Sequence, residues 1–207
     1  MAPSHGAMFY DAIQNNHGLP HDPFKALVVP RPIAWISTLG KNGVANLAPY
    51  SAYNMVSNNP HMVMFSGNLG QHSTKHAIET QEFVVNVVPH ALAAAMNLTS
   101  TPIAEGQSEF ALADLDQAPC ERVNAPRVAN SPVSLECTFH SATTLPAPAP
   151  RGVPSVVVFG LVVGIHIDEG LITPEGRVDL TPIAPLSRAG YFDYGAFDHR
   201  FEMKRPY

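Results

Sequence analysis

The sequence predicts a mainly β protein, a small six-stranded barrel in Greek-key or meander order with a few short peripheral helices. Proline accounts for 20 of the 207 residues, about twice its usual share, and each proline removes a backbone donor, which argues against a long helical bundle. Apolar, β-branched runs of strand length alternate with clusters of turn residues. Hydrophobic residues make up 45% of the chain and charged residues 14%, whereas a disordered chain needs the reverse balance.

The first third of the chain is predicted to hold an arm and three consecutive strands. Residues 1–25 have mixed polarity and are interpreted as an N-terminal arm, and residues 26–207 as one barrel domain with a C-terminal arm. The three strand runs are ALVVPRPIAWISTL from Ala26, VANLAPYSAYNMVS from Val44 and HMVMFSG from His61. The GKNG turn at residues 40–43 favours a hairpin between the first two, so the three strands are expected to form a meander.

The remaining elements follow from local propensity. A short helix is predicted from an N-cap at Ser73 or Thr74 to about Thr80, followed by a buried strand, EFVVNVV. HALAAAMNLT is rich in helix formers and follows Pro89, which can occupy a first helical turn. SPVSLECTFHSATTL and SVVVFGLVVGIHI are predicted strands, the second with bulges at Gly160 and Gly164. The proline-rich residues 145–154 between them are predicted to be an exposed loop.

Charge and apolar run lengths exclude two classes of partner. The formal net charge is −5, and no basic patch is present, so nucleic-acid binding is not expected. No apolar run reaches the roughly 20 residues that span a bilayer, and no leader pattern precedes the arm, so a cytoplasmic protein without membrane contact is expected. In that compartment Cys120 and Cys137 are expected to be free thiols. The low charge also suggests that a partner subunit covers part of the surface.

The common catalytic motifs are absent from the sequence, and no catalytic residue is assigned. His72 and His76 are four residues apart on the helix predicted after the third strand, which would place both on one face. Because no third ligand has suitable spacing, no metal site is predicted.

The junction before this helix allows two interpretations. Ser73, Thr74 and Lys75 would offer two hydroxyls and a charge at a helix N-terminus, which suits a phosphate. Alternatively, Ser73 only caps the helix. The strand before the junction ends in Ser66 and Gly67.

Four runs carry a family resemblance over most of residues 26–206. They are PRPIAWIST, NLAPYSAYNMVSNNP, STKHAIETQEFVVNVV and FEMKRP, in this order along the chain. Together they resemble the flavin reductase-like family, whose fold is an FMN-binding split β-barrel. The resemblance implies a homodimer with FMN at the subunit interface, its ring against the second strand and its phosphate near the loop after the third.

The resemblance also implies a set of cofactor-binding residues. They are Arg31 as an extra cation; Pro49, Tyr50, Ser51, Ala52 and Asn54 on the ring side; Ser66 and Gly67 at the strand end; and Ser73, Thr74 and Lys75 on the phosphate side. The cofactor itself performs the hydride chemistry, which explains why no catalytic residue is expected. The aromatic C-terminal run, with Arg188, Tyr191 and Tyr194, either folds over the flavin or packs as an arm on the dimer.

The sequence departs from the family pattern at one place. Many NAD(P)H-using members carry a Gly-Asp-His run before the late barrel strand, whereas this chain reads Gly152, Val153, Pro154, Ser155. The leading hypothesis is an FMN-dependent oxidoreductase that takes hydride from NAD(P)H and passes electrons to a partner monooxygenase or another acceptor. The missing histidine keeps open an FMN-binding electron carrier without direct NAD(P)H activity. A third hypothesis is a non-catalytic dimeric binding module.

Overall fold

A computed structural model describes residues 6–104, 106–147 and 152–206. Within these residues the chain forms twelve strands and four short α-helices, so the mainly β prediction is confirmed. The strands are β1 (Arg31–Pro32), β2 (Ala34–Leu39), β3 (Ala45–Tyr50), β4 (Tyr53–Asn58), β5 (His61–Asn68), β6 (Glu82–Val87), β7 (Gln117–Ala118), β8 (Arg127–Val128), β9 (Val133–Thr144), β10 (Ser155–Ile167), β11 (Leu186–Arg188) and β12 (Tyr194–Ala196). The helices are α1 (Phe24–Leu27), α2 (His72–Thr80), α3 (Ala93–Leu98) and α4 (Glu109–Leu112).

Seven of the described strands form one antiparallel sheet in the order β3-β2-β6-β9-β10-β5-β4. The sheet has seven strands and not the six predicted, because the second predicted strand bends at Ser51 and Ala52 and divides into β3 and β4. Strand β3 pairs with β2 as expected, but β4 pairs with β5 at the opposite end of the sheet. The predicted meander therefore applies to two separate hairpins, with the chain crossing between them at Ser51.

The sheet curls so that its two ends meet around a closed apolar core. The ring of Tyr50, at the end of β3, lies 5.1 Å from that of Phe65 on β5, although four strands separate β3 from β5 in the sheet order. Inside lie buried side chains from both halves of the sheet, including Ile36, Phe65 and Phe83. This closure brings the end of β3 beside the end of β5.

Glycines in β10 allow the longest strand to follow this curve. The register between β9 and β10 shifts beside both glycines expected to mark bulges or bends, but the extra residue is His140 of β9 next to Gly160 and Val163 of β10 before Gly164. A Cβ at Gly160 would lie 2.4 Å from Cζ of Phe83, so the core ring packs directly on the glycine backbone. The bulges increase the local twist and help to close the sheet.

The helices occupy the expected places, but one cap differs. Helix α2 ends at Thr80 as predicted, whereas its N-cap is Gln71 and not Ser73 or Thr74. Ser73 and Thr74 lie in the first turn of α2, and their hydroxyls face the interior of the fold, as described below, so neither caps the helix. The HALAAAMNLT run forms a 3₁₀ turn, His90–Leu92, and then α3, with Pro89 just before them.

The two ends of the described chain meet beside the barrel. Strand β1 pairs with β11, and β11 pairs with β12, so a three-stranded sheet joins the first strand to the C-terminal arm. Residues 145–147 and 152–154 contain no strand or helix, as predicted, and the middle of that proline-rich loop lies outside the described residues. No helix in the described part of the chain has the length and apolar character needed to cross a membrane.

Candidate functional site

A large open cleft lies where the curled sheet, helices α1 and α3 and the C-terminal arm meet. Its volume is about 1420 Å³. We call it the barrel cleft. Its floor is apolar and includes Ile33, Met96 and Leu186, and its outer wall carries Tyr191, Phe192 and Tyr194. Three cationic side chains line it, namely Lys25, Arg31 and Arg188.

Seven of the eleven sequence-predicted cofactor residues line this cleft, although they come from three separate parts of the chain. They are Arg31, Pro49, Tyr50, Ser51, Ala52, Ser66 and Gly67. The bend after β3 and the end of β5 place six of these residues on one rim, because the sheet closes at this point, and β1 contributes Arg31. The sequence motifs thus converge on one site in space.

The other four predicted residues do not line the barrel cleft. Asn54 lies on strand β4, and its side-chain oxygen accepts from the N–H of Met55 at 2.9 Å. Ser73 and Thr74 are buried on α2, and Lys75 follows them on the same helix.

The Thr74 hydroxyl is engaged entirely within the fold. It donates to the carbonyl oxygens of Asn68 and Gln71 at 3.0 and 2.9 Å. The side chain therefore fastens the loop between β5 and α2. Gln71 Oε1 accepts from the N–H of Asn68 at 2.8 Å, and Gln71 lines the barrel cleft at this loop.

The Ser73 hydroxyl belongs to a buried chain of hydrogen bonds that starts at the cleft. It donates to the side-chain oxygen of Asn46 at 2.8 Å, and the Asn46 amide nitrogen donates to Glu109 Oε1 at 3.2 Å. Tyr50 is hydrogen-bonded to Ser73, while burial raises the pKa of its phenol to about 12. Tyr50 thus remains a neutral hydroxyl at physiological pH, held in place by Ser73 and by the ring of Phe65, 5.1 Å away.

Glu109, at the far end of this chain of hydrogen bonds, lines a second, smaller cavity. The cavity has a volume of about 430 Å³ and is lined by His72, Ser73, Thr99 and Glu109 among others. The N–H of Leu47 donates to Glu109 Oε2 at 3.0 Å. Burial nevertheless raises the pKa of this carboxyl above its usual range. Gln71 and Tyr50 line both cavities, so the N-terminus of α2 lies between them.

Arg31, which the resemblance implied as an extra cation for the cofactor, is already bonded within the fold. Its guanidinium donates to the carbonyl oxygen of Lys25 at 2.6 Å, to that of Val28, and to that of Ala189 at 2.9 Å. The side chain therefore fastens α1 and the C-terminal arm to the first strand. It borders the cleft as a positive charge, but most of its hydrogen-bonding capacity is already used.

Sequence reasoning missed the contribution of the N-terminal arm and left that of the C-terminal arm open. Lys25 from α1 lines the cleft, together with Arg188, Tyr191 and Tyr194, the three residues of the aromatic run. The Arg188 guanidinium lies 4.3 Å from the centre of the Tyr194 ring, a cation–π contact. The mixture of aromatic and basic residues near both ends of the domain was the feature of the sequence that could have indicated a contribution from both arms to the cleft.

The histidine pair on α2 does share one face, as its spacing predicted. The His72 and His76 rings are nearly parallel, with centres 5.8 Å apart, and His76 Nδ1 lies 3.2 Å from Thr38 Oγ1. Neither belongs to a group of three metal-ligand side chains within the described residues. Cys120 and Cys137 are free thiols, as expected.

Comparison with known proteins bears on what this cleft holds. Residues 26–182 match the family model described as the flavin reductase like domain. A protein of Halalkalibacterium halodurans is 32% identical over 185 residues, covering 86% of this chain and 87% of that protein.

Two solved structures are also similar over most of the chain. Nitrilotriacetate monooxygenase component B from Bacillus cereus superposes with a TM-score of 0.85 at 29% identity, covering 96% of this chain and all of that one. The 2-nitrobenzoate 2-nitroreductase NbaA of Pseudomonas fluorescens gives 0.77 at 28% identity and covers 88% of each chain.

Proposed function

The chain belongs to the flavin reductase-like family, and from this premise we propose an FMN-dependent oxidoreductase. In this proposal hydride passes from NAD(P)H to FMN, and electrons then pass to a partner monooxygenase or another acceptor. The observation that carries it is the barrel cleft, where an apolar floor, an aromatic wall and cationic side chains surround the end of β3. Similarity to a monooxygenase component B and to a nitroreductase supports the class of reaction.

The residues of the cleft fit FMN chemically. A planar ring system needs apolar contact on its faces and hydrogen-bond donors at its edge, while the phosphate needs positive charge. Ile33, Met96 and Leu186 form the apolar floor, the aromatic wall adds further apolar surface, and Lys25 and Arg188 add positive charge to the cleft apart from the phosphate position assigned below. The cleft volume of about 1420 Å³ exceeds the roughly 300–1,000 Å³ typical of one small ligand. A nicotinamide beside the flavin therefore has room.

We assign the ring side to Pro49, Tyr50, Ser51 and Ala52, with Ser66 and Gly67 beside them on the same rim. Tyr50 would act as a neutral hydroxyl of fixed orientation, because Ser73 and Phe65 hold it. Ser51 lies at the bend where β3 ends, so its side chain and backbone can face the edge of a ring. The protein contributes orientation and donors, and no protein acid or base is required.

The phosphate is assigned to the N-terminus of α2, with Lys75 as the nearby charge. Ser73 and Thr74 have a supporting role in this assignment, because their hydroxyls hold Asn46 and the Asn68–Gln71 loop. The backbone N–H groups of His72, Ser73 and Thr74 have no acceptor within the helix, whereas that of Lys75 donates to the carbonyl oxygen of Gln71 at 2.9 Å, and the helix dipole favours an anion there. When bound, FMN would supply the two-electron chemistry that the chain's side chains lack.

The proposal includes a homodimer with the flavin at its interface and a cytoplasmic location. Strand β4 is an edge strand of the sheet, and its Met55 side chain is 63% exposed next to an exposed Val56. Asn54 lies on the same strand, which places it on the surface that we assign to the second subunit. The free thiols Cys120 and Cys137 fit a reducing compartment.

One observation favours a second candidate, an FMN-binding electron carrier without direct NAD(P)H activity. The Gly152–Ser155 run carries no histidine, and Ser155 lines the cleft at the start of β10. A carrier would receive its electrons from a separate reductase. The two candidates share the flavin site and differ only in the electron donor.

Two measurements test these candidates. We expect the purified full-length protein to bind FMN in a titration followed by the flavin spectrum, and to oxidise NADH or NADPH in a manner that depends on FMN. Flavin binding without nicotinamide oxidation would overturn the first candidate and support the carrier. Absence of flavin binding would overturn both and leave the non-catalytic dimeric module.

A further inference from the structure

A cluster of three metal-ligand side chains lies on the outer face of the sheet, away from the barrel cleft. It consists of Cys120, Glu136 and His166, and none of the three lines the cleft. Glu136 lies on β9 and His166 on the adjacent β10, while Cys120 lies on the loop between β7 and β8. The same loop packs Val123 and Ala125 against Val84 of β6.

The three ligand atoms are close enough for one ion. The Cys120 thiol, a Glu136 carboxylate oxygen and a His166 ring nitrogen all lie within 4.8 Å of one another. Among the described residues, no other group of three or more such side chains meets this spacing. Because the residues are 16 and 30 positions apart in the chain, no local sequence motif connects them.

The central carboxylate is fixed in orientation before any ion arrives. The Glu136 side chain is 1% exposed. Its Oε1 accepts from the N–H of Glu121 at 3.0 Å, and its Oε2 accepts from those of Arg122 and Val123 at 2.6 and 3.2 Å. Hydrogen bonds of this kind orient a metal ligand and are part of well-formed metal sites.

The glycine opposite Glu136 leaves room for this carboxylate. Gly164 pairs with Glu136 across β9 and β10. A Cβ at Gly164 would lie 3.1 Å from the carboxyl carbon and 3.3 Å from Oε1. Any larger residue would therefore press on the carboxylate.

The other two ligands are open to solvent. Cys120 is half-buried, and the His166 side chain is 26% exposed. An ion can therefore enter from this side, and a water molecule can complete its coordination.

We propose that Cys120, Glu136 and His166 bind a divalent transition metal of the Zn²⁺ class, with water as the fourth ligand. Thiolate, imidazole and carboxylate together are a typical zinc ligand set, and a thiolate disfavours Mg²⁺ and Ca²⁺. Thiolate and carboxylate carry two negative charges, which balance the charge of the ion. Binding replaces the proton of the Cys120 thiol, and that proton is released to the buffer.

One adjustment is required at the site. His166 Nε2 and Glu136 Oε1 are now 2.5 Å apart, in direct hydrogen-bond contact. Two ligands of one tetrahedral ion, each about 2.0–2.1 Å from the metal, lie roughly 3.3 Å apart. The partly exposed His166 ring must therefore rotate so that Nε2 moves away from Glu136 Oε1 by somewhat less than about 1 Å, while Glu136 can remain in place. The bound ion would link the loop that carries Cys120 to strands β9 and β10, through Glu136 and His166.

Cobalt is a suitable probe, because tetrahedral Co²⁺ with a thiolate ligand has intense visible bands and a near-ultraviolet charge-transfer band. We expect the full-length protein, freed of metal and of any affinity tag, to develop both bands with one equivalent of Co²⁺ and to lose them when Zn²⁺ is added. Cys120→Ser should abolish the charge-transfer band. His166→Gln should weaken Co²⁺ binding at least tenfold.

Matched controls use the other cysteine and another histidine on these strands. Cys137→Ala and His140→Gln should retain the wild-type bands, since Cys137 lies in the barrel core and His140 is exposed on β9. Circular dichroism checks that each variant is folded. Absence of the bands in the wild-type protein, or their persistence in Cys120→Ser, would overturn the proposal. FMN binding is measured separately, so either proposal can fail without the other.

Discussion

The guanidinium of Arg31 donates a hydrogen bond at 2.9 Å to the carbonyl oxygen of Ala189, 158 residues further along the chain. The same side chain donates to the carbonyl oxygens of Lys25 and Val28. Gly190 then packs so closely on α1 that a Cβ there would lie 2.5 Å from the Cβ of Ala26. Helix α1 and the segment after β11 thus form one wall of the barrel cleft, joined through Arg31.

Replacement of Arg31 by lysine tests whether these three hydrogen bonds hold the wall of the cleft together. Lysine keeps the charge but presents a single ammonium, which cannot reach three carbonyl oxygens in the geometry of the guanidinium fork. We expect Arg31→Lys to lower the free energy of unfolding by about 1.5 kcal/mol and to weaken FMN binding. Urea denaturation and flavin titration measure the two effects.

Arg200→Lys is the matched control for Arg31. Arg200 forms an ion pair with Asp179 at 2.9 Å, and its side chain is 51% exposed. Such a pair contributes little, so the control should change stability by less than about 0.5 kcal/mol. Equal effects of the two variants would contradict a special role for Arg31.

Gly67 is the second point at which the cleft can be tested. A Cβ there would lie 2.6 Å from Tyr50 Cε1 and 2.6 Å from Gln71 Oε1, and both of these residues line the cleft. Tyr50 is buried and cannot move aside easily. We expect Gly67→Ala to destabilise the fold by about 1–3 kcal/mol and to weaken FMN binding, as measured by urea denaturation and flavin titration.

Gly195→Ala is the control for the glycine. A Cβ at Gly195 would lie 3.1 Å from Ser187 Oγ, whose hydrogen bond to the carbonyl oxygen of Gly195 is long, at 3.3 Å, so the hydroxyl can rotate away and little change in stability is expected. If Gly67→Ala binds FMN as tightly as the wild-type protein, the assignment of this rim to the flavin site is wrong.

The strands could be predicted from the sequence because β-branched runs and turn residues act locally. The division of the second run could not, because VANLAPYSAYNMVS is continuous, and the break at Ser51 arises from the pairing of β3 with β2 and of β4 with β5 at opposite ends of the sheet. The N-cap predicted for α2 was wrong for a similar reason. Ser73 and Thr74 are good N-cap residues, but their partners, Asn46 and the Asn68 carbonyl, come from neighbouring elements.

The site shows the same division between local and distant contacts. The residues around Ser51 and Gly67 belong to motifs that can be recognised in sequence, and they do meet in one cleft. From the sequence alone, Glu136 would be interpreted as a solvent-exposed charge on a strand. It is buried because the loop at residues 121–123 folds over it and donates three N–H groups to its carboxylate. A contact between residues as distant as Arg31 and Ala189 has no signature in a single sequence.

A buried hydrogen bond to the single tryptophan provides a test of the core. Trp35 Nε1 donates to Thr99 Oγ1 at 2.8 Å, and both residues are almost fully buried. Thr99→Val keeps the volume but leaves the indole N–H without an acceptor. The cost should be about 1–3 kcal/mol. Because this is the one tryptophan in the sequence, its fluorescence reports both the local change and the unfolding transition.

Thr144→Val is the control for Thr99. Thr144 lies at the exposed end of β9, where valine suits a strand equally well. We expect its unfolding midpoint and fluorescence to match the wild-type values. A Thr99 variant as stable as this control would show that the indole N–H finds another partner.

Glu109 gives the fold a pH dependence whose direction can be stated. Burial raises the pKa of its carboxyl in the folded protein, so the folded state retains this proton at pH values where the unfolded chain releases it. The contribution of Glu109 to stability is therefore fully present below the pKa of the unfolded chain and is lost as pH rises through the folded value. Glu109→Gln removes this titration while keeping an oxygen that can accept from Leu47.

The variant should therefore gain stability relative to the wild-type protein as pH rises. Urea denaturation at about pH 4 and about pH 7, either side of the usual range for a glutamate, measures the difference between the two proteins. That difference should shift in favour of Glu109→Gln at the higher pH. Glu175→Gln, in an exposed turn, should show no such shift. A shift in favour of the wild-type protein would mean that the bonds from Leu47 and Asn46 stabilise the carboxylate more than burial destabilises it.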